Sequence, residues 1–78
     1  MNNNTANGGR QCVEYTKDGT PHFIRFNVVK NNRTRTLYTR IWDGDTFIFE
    51  TRERSHNDKE ASTRDAKQRL LSMGYTIQ

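Results

Sequence analysis

Residues 11–50 alternate apolar and polar side chains in short segments that end at turn sequences, and this pattern constrains the fold more than any other feature of the chain. The segments QCVEYT, HFIRFNVVK, RTRTLYTRIW and TFIFET are rich in the β-branched and aromatic residues that favour strands. Between them lie KDGT, the pair NN at positions 31 and 32, and DGD at positions 43–45, which are typical of tight turns. The sequence therefore predicts an antiparallel β-meander of three to four strands.

The C-terminal part of the chain has a helical pattern. Ala66, Leu70 and Met73 recur at i, i+4 and i+7, and Leu71 widens this apolar stripe. Gly74 is expected to end the helix, because glycine adopts the left-handed conformation of a helix terminus without steric cost. The predicted fold class is therefore α+β, with one C-terminal helix packed on one face of the sheet.

The ends of this helical region leave alternatives open. Asn57 and Ser62 are each followed three residues later by an acidic residue, so either could begin the helix as part of a capping box. The final residues YTIQ are either a short terminal strand at a sheet edge or a packed tail.

The chain has 78 residues and only 31% hydrophobic residues, which is enough for one small domain. Residues 1–10 contain four Asn, two Gly and no large side chain beyond Met1, so they predict a disordered tail. Residues 11–78 are expected to form a single small α+β domain.

Pairing across the turn at positions 31 and 32 assigns side chains to the two faces of the sheet. A two-residue turn there would place Phe26 opposite Leu37 and Val28 opposite Arg35. The apolar face, which the helix should cover, would then carry Ile24, Phe26, Val28, Leu37 and Ile41. The opposite face would carry Phe23, Arg25, Asn27, Thr36, Tyr38, Arg40 and Trp42.

The loop DGD decides where two further rings lie. A three-residue loop would place Phe47 and Phe49 on the apolar face, whereas a two-residue loop would expose both. Burial of the rings favours the three-residue loop.

Positive charge is concentrated in one segment of the chain. The formal net charge is +4, and no acidic residue lies between Asp18 and Asp43, where five of the 13 basic residues are found. Solvated sheets usually mix charges of both signs, so this run suggests an acidic partner. The residues predicted to bind it are Arg25, Lys30, Arg33, Arg35, Tyr38, Arg40 and Trp42.

A basic face interleaved with rings is typical of nucleic-acid binding, because guanidinium groups bind phosphates or guanine edges and rings stack on bases. The expected architecture resembles small modules that lay a sheet face or hairpin on DNA, so DNA is favoured over RNA. The alternative is a small protein of the kind encoded by phages and mobile elements, which binds and inhibits or modulates a host protein. Self-association and an ordinary solvated sheet face also remain open.

Catalytic chemistry is not indicated, so we expect no enzymatic activity and no cofactor. His22 and His56 are far apart in the chain, and one cysteine with two histidines gives no zinc spacing, so no metal site is expected. Cys12 is the only cysteine and cannot form an internal disulfide, which favours a reducing compartment. No apolar run reaches membrane-spanning length, so we expect a cytoplasmic protein without a membrane partner.

Overall fold

The computed structural model of the chain describes residues 11–77, which form a sheet that packs against a single helix and have the predicted α+β class. The predicted disordered tail over residues 1–10 lies outside the described residues. Within residues 11–77, no helix is long and apolar enough to span a membrane. The elements are, in chain order, β1 (Gln11–Lys17), β2 (Thr20–Asn31), β3 (Thr36–Asp43), β4 (Thr46–Glu50), β5 (Arg54–Ser55), α1 (Lys59–Ser72) and β6 (Thr76–Ile77).

The strands form one antiparallel sheet in the order β4, β3, β2, β1 and β6, so the predicted meander is confirmed. Strand β3 pairs with β2 along one edge. Along its other edge, residues 40–43 of β3 pair with β4, and Thr36 and Leu37 of β3 pair with β5. Strand β6 pairs with β1 at Tyr15 and Thr16. The segment YTIQ therefore contains a short terminal strand.

The loop between β2 and β3 is longer than predicted. Asn31 pairs with Thr36, so residues 32–35 form the loop instead of the expected two-residue turn. The side-chain oxygen Oδ1 of Asn31 accepts hydrogen bonds from the backbone N–H groups of Arg33 (3.0 Å) and Thr34 (3.3 Å). Arg35 adopts a left-handed φ of 57°. The side chain of Asn31 thus stabilises a four-residue loop by accepting backbone hydrogen bonds. The prediction of a two-residue turn did not include this role of asparagine.

This longer loop changes the strand partners but not the faces. Phe26 pairs with Ile41, whereas the predicted partner was Leu37. The partner has moved by four positions, which is an even number, and side chains alternate with a period of two along a strand. The predicted division of β2 and β3 into an apolar and a polar face is therefore correct although the predicted register is wrong.

The turn between β3 and β4 also differs from the prediction. Asp43 pairs with Thr46, which leaves a two-residue turn in which Gly44 has a φ of 61°. The three-residue loop is therefore wrong. The register then shifts between Ile41 and Trp42, where a β-bulge interrupts the pairing with β4.

The bulge separates the two rings of β4. Phe49 pairs with Ile41 on the covered side and is 5% exposed, whereas Phe47 pairs with Trp42 on the opposite side and is 38% exposed. Ile48 is the extra residue between the two pairs and packs partly buried against the core. The prediction for Phe49 is thus confirmed, and the one for Phe47 is wrong because one added residue reverses the alternation.

The core lies between the sheet and α1. On the helix, Ser62, Ala66 and Leu70 are buried, while Leu71 is 57% and Met73 36% exposed. The buried stripe therefore lies one turn nearer the helix start than the predicted stripe, which ended at Met73. The buried apolar side chains are Tyr15, Ile24, Leu37, Ile41, Phe49, Ala66, Leu70 and Tyr75.

Neither predicted capping box begins the helix. The N-cap residue is Asp58, whose side chain makes no capping hydrogen bond. Asn57 precedes the helix, and Ser62 lies inside it with a fully buried side chain. Ser62 therefore contacts the sheet, which is a tertiary role that a local capping pattern does not reveal.

The helix ends as predicted at Gly74, which has a φ of 98°. The N–H of Gly74 donates to the carbonyl oxygen of Leu71, and the N–H of Tyr75 donates to that of Leu70, both at 3.0 Å. These two bonds form a Schellman motif, in which the residue after glycine packs back on the last turn. The motif places Tyr75 in the core beside Leu70.

Three hydroxyl groups join the helix to the sheet. The side-chain oxygens of Thr39 and Ser62 are 2.8 Å apart, and those of Thr51 and Ser62 are 3.1 Å apart. The hydroxyl oxygen of Thr51 also accepts the backbone N–H of Thr39 at 2.9 Å. Because Thr39 and Ser62 are both fully buried, these bonds satisfy polar groups that water cannot reach.

An ion pair joins β5 to the middle of the helix. The Nε of Arg54 donates to Oδ2 of Asp65 at 2.8 Å, and both side chains are partly exposed. This hydrogen bond from Arg54 holds the pKa of Asp65 below its ordinary value. The two-residue strand β5 is thus held against α1 by a charged contact.

Ser62→Ala should lower the free energy of unfolding by about 1–3 kcal/mol, because it leaves the buried hydroxyl of Thr39 without its partner. Urea unfolding followed by circular dichroism measures the change. The matched control is Thr63→Ala, since the hydroxyl of Thr63 bonds only to its own helix, at the carbonyl oxygen of Glu60 (3.0 Å) and more weakly at that of Lys59. Equal losses for the two variants would contradict a structural role for the Ser62 contacts.

Asp65→Asn should destabilise the protein at pH 7, and the difference from the parent should close as the pH falls. A lowered folded-state pKa gives stability that is complete above the unfolded-state pKa, so the difference should begin to shrink at about pH 4 and should vanish once Asp65 is protonated in the folded state as well. Thermal unfolding at several pH values measures it. Asp45→Asn in the exposed β3–β4 turn is the control, and a pH-independent difference for Asp65→Asn would contradict the assignment.

Candidate functional site

The side of the sheet away from α1 has no covering element among the described residues, and none of its described side chains is buried. Strand alternation and register decide which side chains lie there. We call this side the uncovered face. It includes Cys12, Glu14, Phe23, Arg25, Asn27, Val29, Tyr38, Arg40, Trp42, Phe47 and Glu50.

Three of these side chains surround Trp42, the only tryptophan of the chain. Trp42 has Arg25 as its partner on β2 and Phe47 as its partner on β4, so the three lie in one row across the sheet. Arg40 lies two residues before Trp42 on the same strand and therefore on the same face. We call Arg25, Arg40, Trp42 and Phe47 the Trp42 cluster.

The guanidinium groups of the Trp42 cluster lie against aromatic rings. The central carbons of Arg25 and Arg40 are 5.2 and 5.6 Å from the ring centroid of Trp42. Arg40 is also 4.5 Å from the ring centroid of Phe47, whose ring meets that of Trp42 edge-on at 5.4 Å. Cation–π contacts at such distances contribute about 0.5–1 kcal/mol each at exposed sites. They hold both guanidinium groups at the surface of the sheet.

Arg40 is a partly enclosed cation of the cluster. Its Nε is shielded from solvent without a hydrogen bond. The nearest carboxylate oxygen, Oε1 of Glu50, is 3.5 Å away, and the two side chains are 36% and 51% exposed. Partly exposed ion pairs of this kind contribute only about 0–1 kcal/mol, so Glu50 is a weak partner that an anionic ligand could replace.

Two phenylalanine rings of the uncovered face are open to solvent. Phe23 is 55% and Phe47 38% exposed. Phe23 lies beside the β3–β4 turn, where its carbonyl oxygen accepts the N–H of Gly44 at 3.0 Å. Gly44 itself has no side chain that could cover the ring of Phe23. Exposed rings on a flat surface are suited to stacking.

The predicted binding residues form two groups. Arg25, Tyr38, Arg40 and Trp42 share the uncovered face, whereas the remaining three lie at the β2–β3 hairpin tip. Trp42 lies six positions after Thr36, which is at the start of β3, and this corresponds to roughly 20 Å along a strand. The predicted residues thus lie in two groups at opposite ends of β3. The three tip residues are Lys30, Arg33 and Arg35.

The hairpin tip has its own shallow cavity of about 380 Å³. The backbone N–H of His56 donates to the carbonyl oxygen of Arg35 at 3.1 Å and brings the segment after β5 to the tip. Since the cavity is lined by three potentially cationic side chains, it is suited to an anion. Its lining residues are Lys30, Asn31, Asn32, Arg35, Thr36 and His56.

The acid-free run of the sequence does not produce an acid-free surface. Glu14 lies on the uncovered face through its pairing with Phe23, and Glu50 lies there through its pairing with Arg40. Two carboxylates thus balance Arg25 and Arg40, and the surplus of positive charge is confined to the hairpin tip. Glu14 and Glu50 belong to the neighbouring strands β1 and β4, so the sequence of β2 and β3 alone does not reveal them.

Sequence reasoning missed Phe47 as part of the site. The three-residue turn expected from the sequence places this residue in the core. The relevant sequence is TFIF. If Gly44 and Asp45 form the turn and a bulge follows, Phe47 and Phe49 lie on opposite faces of the sheet, so only one of them can be buried. A bulge has no reliable sequence signature, so this signal requires the pairing of β3 with β4.

A separate polar cluster lies on the helix side at the end of β3. Oδ2 of Asp43 is 2.8 Å from Nδ1 of His22 and accepts a hydrogen bond from the hydroxyl of Tyr75 at 3.0 Å. Burial, with the hydrogen bond and charge of Asp43, raises the pKa of Tyr75. The ammonium of Lys17 lies 4.7 Å from the ring centroid of Tyr75. These contacts attach the segment after α1 to the sheet.

Metal chemistry finds no support in the described part of the chain. Among residues 11–77, no three histidine, cysteine or acidic side chains are grouped closely enough to hold a metal ion.

Comparisons with protein families, curated proteins and solved structures returned no match to this chain. The uncovered face and the hairpin tip are therefore the candidate sites.

Proposed function

We propose that the protein is a non-enzymatic nucleic-acid-binding protein that uses the uncovered face and the hairpin tip. The supporting observation is the Trp42 cluster, in which two guanidinium groups lie against aromatic rings on an open sheet surface. Stacking occupies the planar side of a guanidinium group, while its N–H groups point outward from the edge. Those edges can donate to phosphate oxygens or to base edges, which is the chemistry of nucleic-acid recognition.

The hairpin tip supplies the electrostatic part of this proposal. Lys30, Arg33 and Arg35 carry the surplus of positive charge, and two of them line the tip cavity. Together with the cluster they could neutralise about four phosphates, which implies a log–log salt slope between roughly −3 and −4. The uncovered face would then supply stacking and hydrogen bonds, and the tip would supply charge. The sequence favours DNA over RNA as the partner.

The location proposed for this activity is a reducing cytoplasm. Cys12 is exposed on β1 and forms no disulfide. An exposed free thiol is a liability in an oxidising compartment and is tolerated in a reducing one.

Arg25→Gln combined with Arg40→Gln should weaken nucleic-acid binding about 10- to 100-fold, because each variant removes a charge-assisted donor from the cluster. Fluorescence anisotropy of a labelled oligonucleotide at low salt measures the affinity. The charge-matched control is Arg64→Gln with Lys67→Gln, since both residues are exposed on α1. Equal losses for the two pairs would reduce the effect to net charge, and no binding by the parent protein at low salt would refute the proposed function.

Arg33→Gln combined with Arg35→Asn should weaken binding to all sequences and make the salt slope shallower by about 1 to 2. Asparagine is chosen at position 35 because it tolerates the left-handed φ of 57° found there. Titrations at several salt concentrations measure the slope. An unchanged slope would exclude the hairpin tip from the interface.

A second candidate function is docking on a host protein. β6 pairs with β1 at Tyr15 and Thr16, so the preceding residues of β1 have no strand partner on that side among residues 11–77. An open strand edge can accept a strand from another protein, and exposed aromatic residues with arginine match interface composition. Co-purification from the native host with and without nuclease separates the candidates. A stoichiometric protein partner that survives nuclease would support docking.

A further inference from the structure

We infer that the ligand of the uncovered face is a single-stranded nucleic acid whose unpaired bases stack on Phe23 and Phe47. The inference rests on the proposed function, which it narrows from nucleic acid in general to strands with accessible base faces. It identifies two side chains that the sequence had not assigned to binding. Both are exposed on the same open surface, at 55% and 38%.

The two rings are placed so that one strand could contact both. Phe47 lies in the row of Trp42 on β4, and Phe23 lies on β2, two residues before Arg25, which is the partner of Trp42. Their backbones are two strand spacings apart, and with the offset of one row this gives roughly 12 Å. A strand crossing this distance could place one base on each ring with about one nucleotide between them. Trp42 lies between them on β3, and the guanidinium groups of Arg25 and Arg40 lie against its ring.

The charge of the uncovered face favours a ligand that binds by stacking. Arg25 and Arg40 are balanced by Glu14 and Glu50 on the same face. A duplex presents one negative charge for about every 1.7 Å of its axis, so a neutral surface gains little from lying on it. Stacking on an aromatic ring does not depend on net charge, and it is worth more when the ring is otherwise exposed to water.

The shape of the uncovered face also favours an unpaired strand. The base faces of a duplex are covered by their neighbours, and the major groove, about 12 Å wide, admits a helix or a two-stranded ribbon. The exposed rings lie in the body of the sheet, where β4, β3, β2 and β1 are side by side. They are at the opposite end of β3 from the hairpin tip, which is the part narrow enough for a groove. A flat face with open rings is therefore complementary to an unpaired strand.

The test compares four labelled probes by fluorescence anisotropy at the same low salt. They are a 12-nucleotide deoxythymidine strand, the corresponding uridine strand, a 12-base-pair duplex, and a 12-unit abasic strand that keeps the phosphates without the bases. We expect both base-containing single strands to bind at least about tenfold more tightly than the duplex and the abasic strand. Quenching of the fluorescence of Trp42, the only tryptophan, should accompany binding of those two strands.

Phe23→Leu should weaken binding of the deoxythymidine strand about tenfold and leave binding of the abasic strand unchanged, because leucine is apolar but has no ring to stack. This variant lies outside the Trp42 cluster, so it can be interpreted even if Phe47→Leu disturbs the fold. Phe23→Tyr is the matched control, and it should retain affinity within about twofold since it keeps the ring. Thermal unfolding checks that each variant is folded.

Each outcome separates the inference from the proposed function. Equal or tighter binding of the duplex, equal binding of the abasic strand, or an unaffected Phe23→Leu variant would overturn stacking on Phe23 while nucleic-acid binding stands. Binding of none of the probes by the parent protein would overturn both. Preference for the base-containing strands that is lost in Phe23→Leu and kept in Phe23→Tyr would support the inference.

Discussion

One extra residue in β4 determines both the core and the candidate binding face. The bulge between Ile41 and Trp42 lets Phe49 enter the core while Phe47 joins Trp42 on the other side. In an unbroken two-residue hairpin, alternation would place both rings on one face. The core of so small a protein needs Phe49, and the cluster needs Phe47 to enclose the guanidinium of Arg40. The bulge satisfies both requirements.

The helix covers one side of the sheet and thereby leaves the other side available for binding. Its approach is stabilised by Ser62, whose small side chain allows close packing and whose hydroxyl bonds to Thr39 and Thr51. The Schellman motif at Gly74 then turns the chain so that Tyr75 packs in the core. With its single helix used in this way, the described domain has no second element to cover the uncovered face. Rings and guanidinium groups there must stabilise one another or a ligand.

The sequence predicted features that depend on near neighbours in the chain. The turn KDGT has the positive φ values that such a turn requires, 55° at Asp18 and 75° at Gly19. The helix end at Gly74 and the assignment of side chains to the two faces of β2 and β3 were also predicted correctly. The predicted turns at positions 31–32 and 43–45 were wrong. The first is a longer loop in which the side-chain oxygen of Asn31 accepts backbone N–H groups, and the second is a shorter turn followed by a bulge that lets Phe49 be buried.

By itself, the sequence determined the fold class, the helix end and the side of the sheet on which Tyr38, Arg40 and Trp42 lie. These follow from periods of two and 3.6 residues, which are local properties that survive an even shift of register. Only the tertiary structure decided which side chains became neighbours. It brought Glu14 and Glu50 to the uncovered face and added Phe47 to it. Partners across strands depend on loop lengths and bulges, and those are selected by the packing of the whole core.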